Sequence, residues 1–133
     1  MRNIIFRGKR INRNGEWGYG DLRRFGGNTW VFPHDNDAAY DADMVNPETV
    51  GEYTGLNDRR CNPIYEGDIL RVTSLQPETL GKKMNVAVEY DGGRAAFLVK
   101  NGEKFQQLGL CALENDVVII GNIYDNPELL KQK

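Results

Sequence analysis

Met84-Asn85-Val86-Ala87-Val88-Glu89-Tyr90-Asp91-Gly92-Gly93-Arg94-Ala95-Ala96-Phe97-Leu98-Val99 carries the clearest alternation in the chain. Met84, Val86, Val88 and Tyr90 recur with a period of two, Asp91-Gly92-Gly93 has turn chemistry, and Phe97 and Val99 begin a returning arm. The stretch reads as a β-hairpin. Before it, Ile69 and Arg71 alternate with Leu70 and Val72 after a Gly67-Asp68 bend, the pattern of a further strand. After it, residues 117–120 form a β-branched run suited to a strand covered on both faces. Asn126, Pro127 and Glu128 then have the order of a helix start, so the chain is expected to finish in a short C-terminal helix.

The N-terminal third repeats the β pattern. Ile4 and Phe6 lie on one side of Asn12-Arg13-Asn14-Gly15, and Trp17 and Tyr19 on the other, so a hairpin is expected there. Trp17 and Tyr19 alternate with Gly18 and Gly20, which leaves the reverse face almost bare and inviting to another strand or subunit. Asn28 to Phe32 reads as a strand ended by Pro33, and residues 34–46 lack an apolar period and read as a long acidic loop. Residues 49–54 suggest a strand, followed by a turn at Gly55-Leu56-Asn57-Asp58. Brief turns without useful amphipathic helices predict a mainly β chain, an antiparallel small barrel of SH3-like or related type with an N-terminal hairpin extension. The expected division of the single domain 1–133 is a β subregion at 1–33, the acidic loop at 34–47 and a barrel-like subregion at 48–133.

With 133 residues, 40% of them hydrophobic and 15 of them glycine, the chain is of a size and composition to fold around one core with many tight turns. The N-terminus lacks the apolar run of an export signal, and the longest such run, residues 95–99, is far below the roughly 20 residues of a membrane-spanning helix. A cytoplasmic location is expected, with no membrane partner and with Cys61 and Cys111 reduced. Those cysteines and the lone His34 form no zinc-chelating set, and Asp35, Asp37, Asp41 and Asp43 lack the glycine and glutamate of a calcium loop. Gly15, Gly18 and Gly20 follow a turn without the helix or Lys-Ser/Thr pair of a phosphate loop. No metal, nucleotide or other cofactor is therefore expected. Glu48, Asp58, Glu66 and Asp68 are the carboxylates to weigh for acid–base chemistry, but aspartates in turns commonly bond nearby backbone amides, and no catalytic residue is assigned.

Charge is unevenly distributed. Residues 1–33 hold seven basic and two acidic residues, whereas residues 34–68 hold nine acidic and two basic ones. Such blocks meet each other within or between subunits, or present a basic face to nucleic acid. Arg7, Lys9, Arg10 and Arg13 beside Trp17 and Tyr19 are the candidate nucleic-acid or partner-binding residues, because phosphate contacts and stacking surfaces are the ingredients of single-strand binding. The acidic pI of about 5.4 weighs against that use.

Several words in order along the chain carry a family resemblance: Phe6-Arg7-Gly8-Lys9, Gly15-Glu16-Trp17-Gly18-Tyr19-Gly20, and Pro47-Glu48-Thr49-Val50-Gly51-Glu52-Tyr53-Thr54-Gly55-Leu56. Ile64-Tyr65-Glu66-Gly67-Asp68-Ile69, Val88-Glu89-Tyr90-Asp91 and Ile120-Gly121-Asn122-Ile123-Tyr124-Asp125-Asn126-Pro127-Glu128-Leu129-Leu130 continue it. Together they resemble the YopX family of phage and prophage proteins. The resemblance implies a mostly β protein of a mobile element and implies no activity. The chain departs from the family pattern at Arg59-Arg60-Cys61-Asn62-Pro63, where relatives often carry a turn richer in glycine and lysine. The expected function is a non-enzymatic protein-binding or assembly module, homo-oligomeric or engaging a phage or host protein; the alternative is a small β-barrel that binds single-stranded nucleic acid.

Overall fold

The computed structural model describes residues 1–11, 15–34 and 42–131, and the chain divides into two compact units, Met1–Gly55 and Leu56–Lys133. The first contains β1 (Phe6–Lys9), β2 (Trp17–Phe25), β3 (Asn28–Phe32) and β4 (Asp43–Val45). The chain passes into the second unit within β5 (Gly51–Asn57). There it forms β6 (Pro63–Tyr65), β7 (Asp68–Ser74), β8 (Lys83–Asp91), β9 (Ala96–Asn101), β10 (Lys104–Gln107), the helix α1 (Leu108–Glu114) and β11 (Asn115–Asn122). Every described strand pair is antiparallel. Among the described residues, no helix is long and apolar enough to cross a membrane. The mainly β reading holds. Among the described residues a closed barrel is not found: their strands form two antiparallel sheets.

In the first unit the strands run β4-β3-β2-β1-β5. β4 also returns to the end of β1 through a single Arg10–Val45 bridge, flanked by hydrogen bonds from Ile11 N to Met44 O and from Asn46 N to Lys9 O, both 2.9 Å. Such a tight curl requires the concave face to be thin. Gly8 and Gly18 make it so: a Cβ on Gly8 would stand 2.8 Å from Val45 Cβ, and one on Gly18 would stand 2.9 Å from Val31 Cγ2. The bare glycine face expected to receive another strand or subunit is therefore filled by this unit's own Val31 and Val45, both fully buried. Asp43–Val45, read from sequence as loop, is a strand because Val45 belongs to that packing. Beside it, the buried Thr49 hydroxyl accepts from Lys9 N at 2.8 Å and donates to Asn46 O at 2.7 Å, so the 3-10 turn Pro47–Thr49 is bonded to β1. Asn12-Arg13-Asn14 and Asp35, Asp37 and Asp41 lie outside the described residues.

The second sheet runs β10-β9-β8-β7-β11. The hairpin expected from alternation is β8–β9, with Val88 opposite Val99 and Tyr90 opposite Phe97. Leu70, Val86, Val88, Val99 and Val117 put their apolar side chains into one core with Ile64 and with Leu108 and Cys111 of α1. α1 is short and contains Gly109, and its first residue has no side-chain cap, so its register comes from burying Leu108 and Cys111 and from Asn115 Nδ2 donating to Cys111 O at 2.9 Å. Asn126 is not a side-chain cap on the terminal 3-10 turn, Pro127–Lys131; its Oδ1 accepts from Asn122 N at 3.3 Å. The turn after β5 lies at Asp58–Asn62 rather than at 55–58, because Asp58 organises it.

Among the described residues, two non-glycine residues stand at positive φ, Cys61 at 65° and Ala95 at 52°. A Cβ in this region costs roughly 1–2 kcal/mol, partly offset by the unfolded-state freedom that glycine adds. Cys61→Gly and Ala95→Gly are each expected to raise stability by about 0.5 kcal/mol, read as a higher urea midpoint at unchanged slope.

Candidate functional site

β1 and β2 pair Arg7 with Tyr19 and Lys9 with Trp17. Residues two apart on a strand share a face, so these four side chains lie together. The Arg7 guanidinium carbon is 4.3 Å from the Trp17 ring centroid and Lys9 Nζ is 5.6 Å from it, a pair of cation–π contacts on one indole. Arg7 is buried, whereas Tyr19 keeps 47% of its surface exposed. Arg10 does not join them. Its Nε lies 3.0 Å from Asp43 Oδ2 and its Nη1 3.2 Å from Glu16 Oε2, over Gly18 on the opposite face. The candidate set thus divides into Arg7, Lys9, Trp17 and Tyr19 on one face and Arg10 on the other, with Arg13 outside the described residues. The basic and acidic sequence blocks do meet, through Arg10 and Asp43 of one chain.

Farther along β2 and β3 is an aromatic group that composition did not single out. Phe25 stacks on Trp30 with centroids 5.2 Å apart and planes 8° from parallel, Phe32 lies 6.4 Å from Phe25, and the Arg23 guanidinium sits 4.4 Å over Phe32. Phe25 is 52% exposed. These rings come from the two arms of a hairpin whose turn is Gly26-Gly27, with φ of 60° and 78°.

Of the carboxylates considered for acid–base chemistry, Asp58 and Asp68 are held by backbone amides. Asp58 is buried; its Oδ1 accepts from Arg60 N and Asn62 N at 2.9 Å each, and its Oδ2 from Ile119 N at 3.0 Å. Burial pushes this carboxyl up, but the amides of Ile119, Asn62 and Arg60 outweigh it and hold the group below the usual carboxylate value. Asp68 is also buried and accepts from Tyr65 N at 2.8 Å. Glu48 is exposed beside the Asn46 side chain that caps its amide. Among the described residues, no three His, Cys, Asp or Glu side chains converge as metal ligands.

A cavity of about 680 Å³ opens in the second unit, where the short α1 leaves part of the sheet uncovered. Val72, Met84, Val86 and Val99 supply its apolar surface; Lys82, Lys83, Lys104 and Glu114 stand around it, with Phe105 at 51% exposure. Cys111 also borders it, its thiol pushed up by burial. Lys83 opens β8 with Lys82 just before it, and Lys104 opens β10, so only the fold brings them together. Both cysteines are free, Cys61 exposed and Cys111 buried.

Among solved structures, the crystal structure of protein EF1440 from Enterococcus faecalis is similar, with a TM-score of 0.53 and 21% identity over 98% of this chain and 99% of that one. At this identity the likeness speaks for the fold alone. No curated protein matches the chain. The family model described as YopX protein matches residues 12–131, and with nearly its whole length covered the chain belongs to the YopX family.

Proposed function

We propose that this chain is a non-enzymatic protein-binding or assembly module of a phage or prophage, acting in the cytoplasm and associating with copies of itself or with a phage or host protein. The finer fold description, a small barrel of SH3-like kind, belongs to the same reading. The observation that supports binding over catalysis is the pairing on the first unit of exposed rings, Tyr19 and Phe25, with cations already seated on neighbouring aromatics. Aromatic and arginine groups of this kind are enriched at protein interfaces. Asp58 and Asp68, in contrast, are occupied by backbone amides.

Single-strand binding by Arg7, Lys9, Trp17 and Tyr19 is the competing reading, and their shared face favours it. Against it, Arg7 and Lys9 sit on the Trp17 ring, so a base stacking there displaces them, and Arg10 is paired with two carboxylates. Two measurements separate the readings. Sedimentation at micromolar concentration is expected to show a defined oligomer that Tyr19→Ser or Phe25→Ser weakens about tenfold, with only partial weakening by salt. A monomer at low and moderate salt removes the homo-oligomeric form. Titration with labelled single- and double-stranded oligonucleotides at low salt is expected to show no binding; binding that Arg7→Gln and Lys9→Gln reduce, with a shallower salt slope, would replace assembly by nucleic-acid recognition.

A further inference from the structure

We propose that the cavity of the second unit binds a small organic anion with an apolar body, a medium-chain or aromatic carboxylate being the simplest form. The inference stands apart from the assembly reading, since it uses residues of the second unit only. A seven-residue helix buries Leu108 and Cys111 against the sheet but leaves Val72, Met84, Val86 and Val99 bordering open space. At about 680 Å³ the space lies within the roughly 300–1,000 Å³ of small-molecule sites. Of these four, Val86 and Val99 are buried and Val72 is half-buried, so Met84, 43% exposed, offers an apolar occupant most of the surface, and it is a side chain that adapts to varied shapes.

The charge around the cavity selects the sign of that occupant. Lys82, Lys83 and Lys104 border it, and none of them forms an ion pair among the described residues. The carboxylate there, Glu114, accepts a 3.5 Å contact from Gln106 Nε2. A flexible lysine lays its methylenes along apolar surface and keeps its ammonium at the edge, where it meets an anionic head group. Ser74 Oγ and Thr79 Oγ1, 2.6 Å apart, satisfy each other, and Asn101 Nδ2 donates to Asn85 O at 2.6 Å, so these polar side chains are engaged and the ammonium groups are the charged recognition elements.

Calorimetric titration of the full chain with dodecanoate below its micelle concentration, with 1-anilinonaphthalene-8-sulfonate, with dodecanol and with inorganic phosphate tests the proposal. Saturable one-to-one binding of both amphipathic anions is expected, with the alcohol and phosphate at least tenfold weaker. Replacing the three exposed lysines together, K82Q/K83Q/K104Q, should raise Kd for dodecanoate at least tenfold at an unchanged melting temperature. Met84→Glu, at an exposed position, should abolish binding by placing a carboxylate against the ligand's body. Absence of saturable binding by either anion up to millimolar concentration overturns the proposal, as does binding that neither variant changes. Tight binding of an acidic peptide without affinity for the two anions would also overturn it, assigning the surface to a protein partner.

Discussion

Gly20→Ala is expected to cost the first unit more than about 3 kcal/mol and to leave it largely unfolded. An added Cβ would stand 2.0 Å from Phe32 O and 2.5 Å from Phe32 C, at a φ of +151° that side chains rarely adopt. Both obstacles are backbone, so no rotamer change relieves them. The only escape is to part β2 from β3 next to the Asp21–Phe32 pair, which exposes buried Thr29 and Val31. Gly26→Ala is the control: its φ is +60° with nothing within 4 Å, and the loss should be near 1 kcal/mol. The measurement is simple, because both tryptophans, Trp17 and Trp30, belong to the first unit. Urea titration followed by tryptophan emission therefore reports that unit directly, and a Gly20→Ala midpoint within experimental error of the parent would refute the steric argument.

The second large effect lies in the other unit. Asp58→Ala removes the acceptor of three backbone amides, two in the 58–62 turn and one on β11, and leaves them facing a buried gap. Unsatisfied buried donors cost about 1–3 kcal/mol each, and partial entry of water reduces the sum to roughly 3–4 kcal/mol. Amide hydrogen exchange at Arg60, Asn62 and Ile119 should accelerate before exchange elsewhere in the sheet. The pH dependence follows from the direction of the Asp58 shift. Its folded pKa lies below the ordinary value of 3.8, so the unfolded chain binds more protons at mildly acidic pH. The stabilisation is complete above the unfolded value and is lost as pH falls through the folded one. Asp91 acts in the same direction, held low chiefly by the Arg94 guanidinium at 2.6 Å. Acid unfolding of Asp58→Asn should begin from a lower plateau and show a shallower dependence below pH 4; an unchanged slope would show that the carboxylate does not carry the linkage.

What the sequence revealed was what depends on neighbours close along the chain. The β8–β9 hairpin was legible because its alternating valines and its turn occupy one stretch, and β7 and β11 because β-branched residues mark them. Even there the turn held a surprise: the positive φ falls on Ala95, not on Gly92 or Gly93. α1 escaped because two turns with a glycine at the second position leave no periodic signal, and their register is imposed by the core that Leu108 and Cys111 enter. β4 escaped because three residues become a strand only once Val45 has Gly8 to sit against. For the candidate site, alternation along the strand puts Trp17 and Tyr19 on one face, whereas Arg10, three residues from Arg7, lies on the opposite one. The residue that draws Arg10 away, Asp43, lies on another strand.

Gly8 and Val45 make one shape written at two distant places in the chain. The side chain missing from the first is supplied by the second, whose Cβ and Cγ2 stand 2.8 Å from where a Cβ on Gly8 would be. Neither position drifts alone under selection: enlarging residue 8 wedges β4 off the end of β1, and shrinking residue 45 leaves a void over bare backbone. Coupled inheritance at the two sites is the expected result. A lineage that acquires alanine at position 8 keeps the curl only if position 45 has become smaller, so compensated exchange between these positions would be the evolutionary trace of this contact.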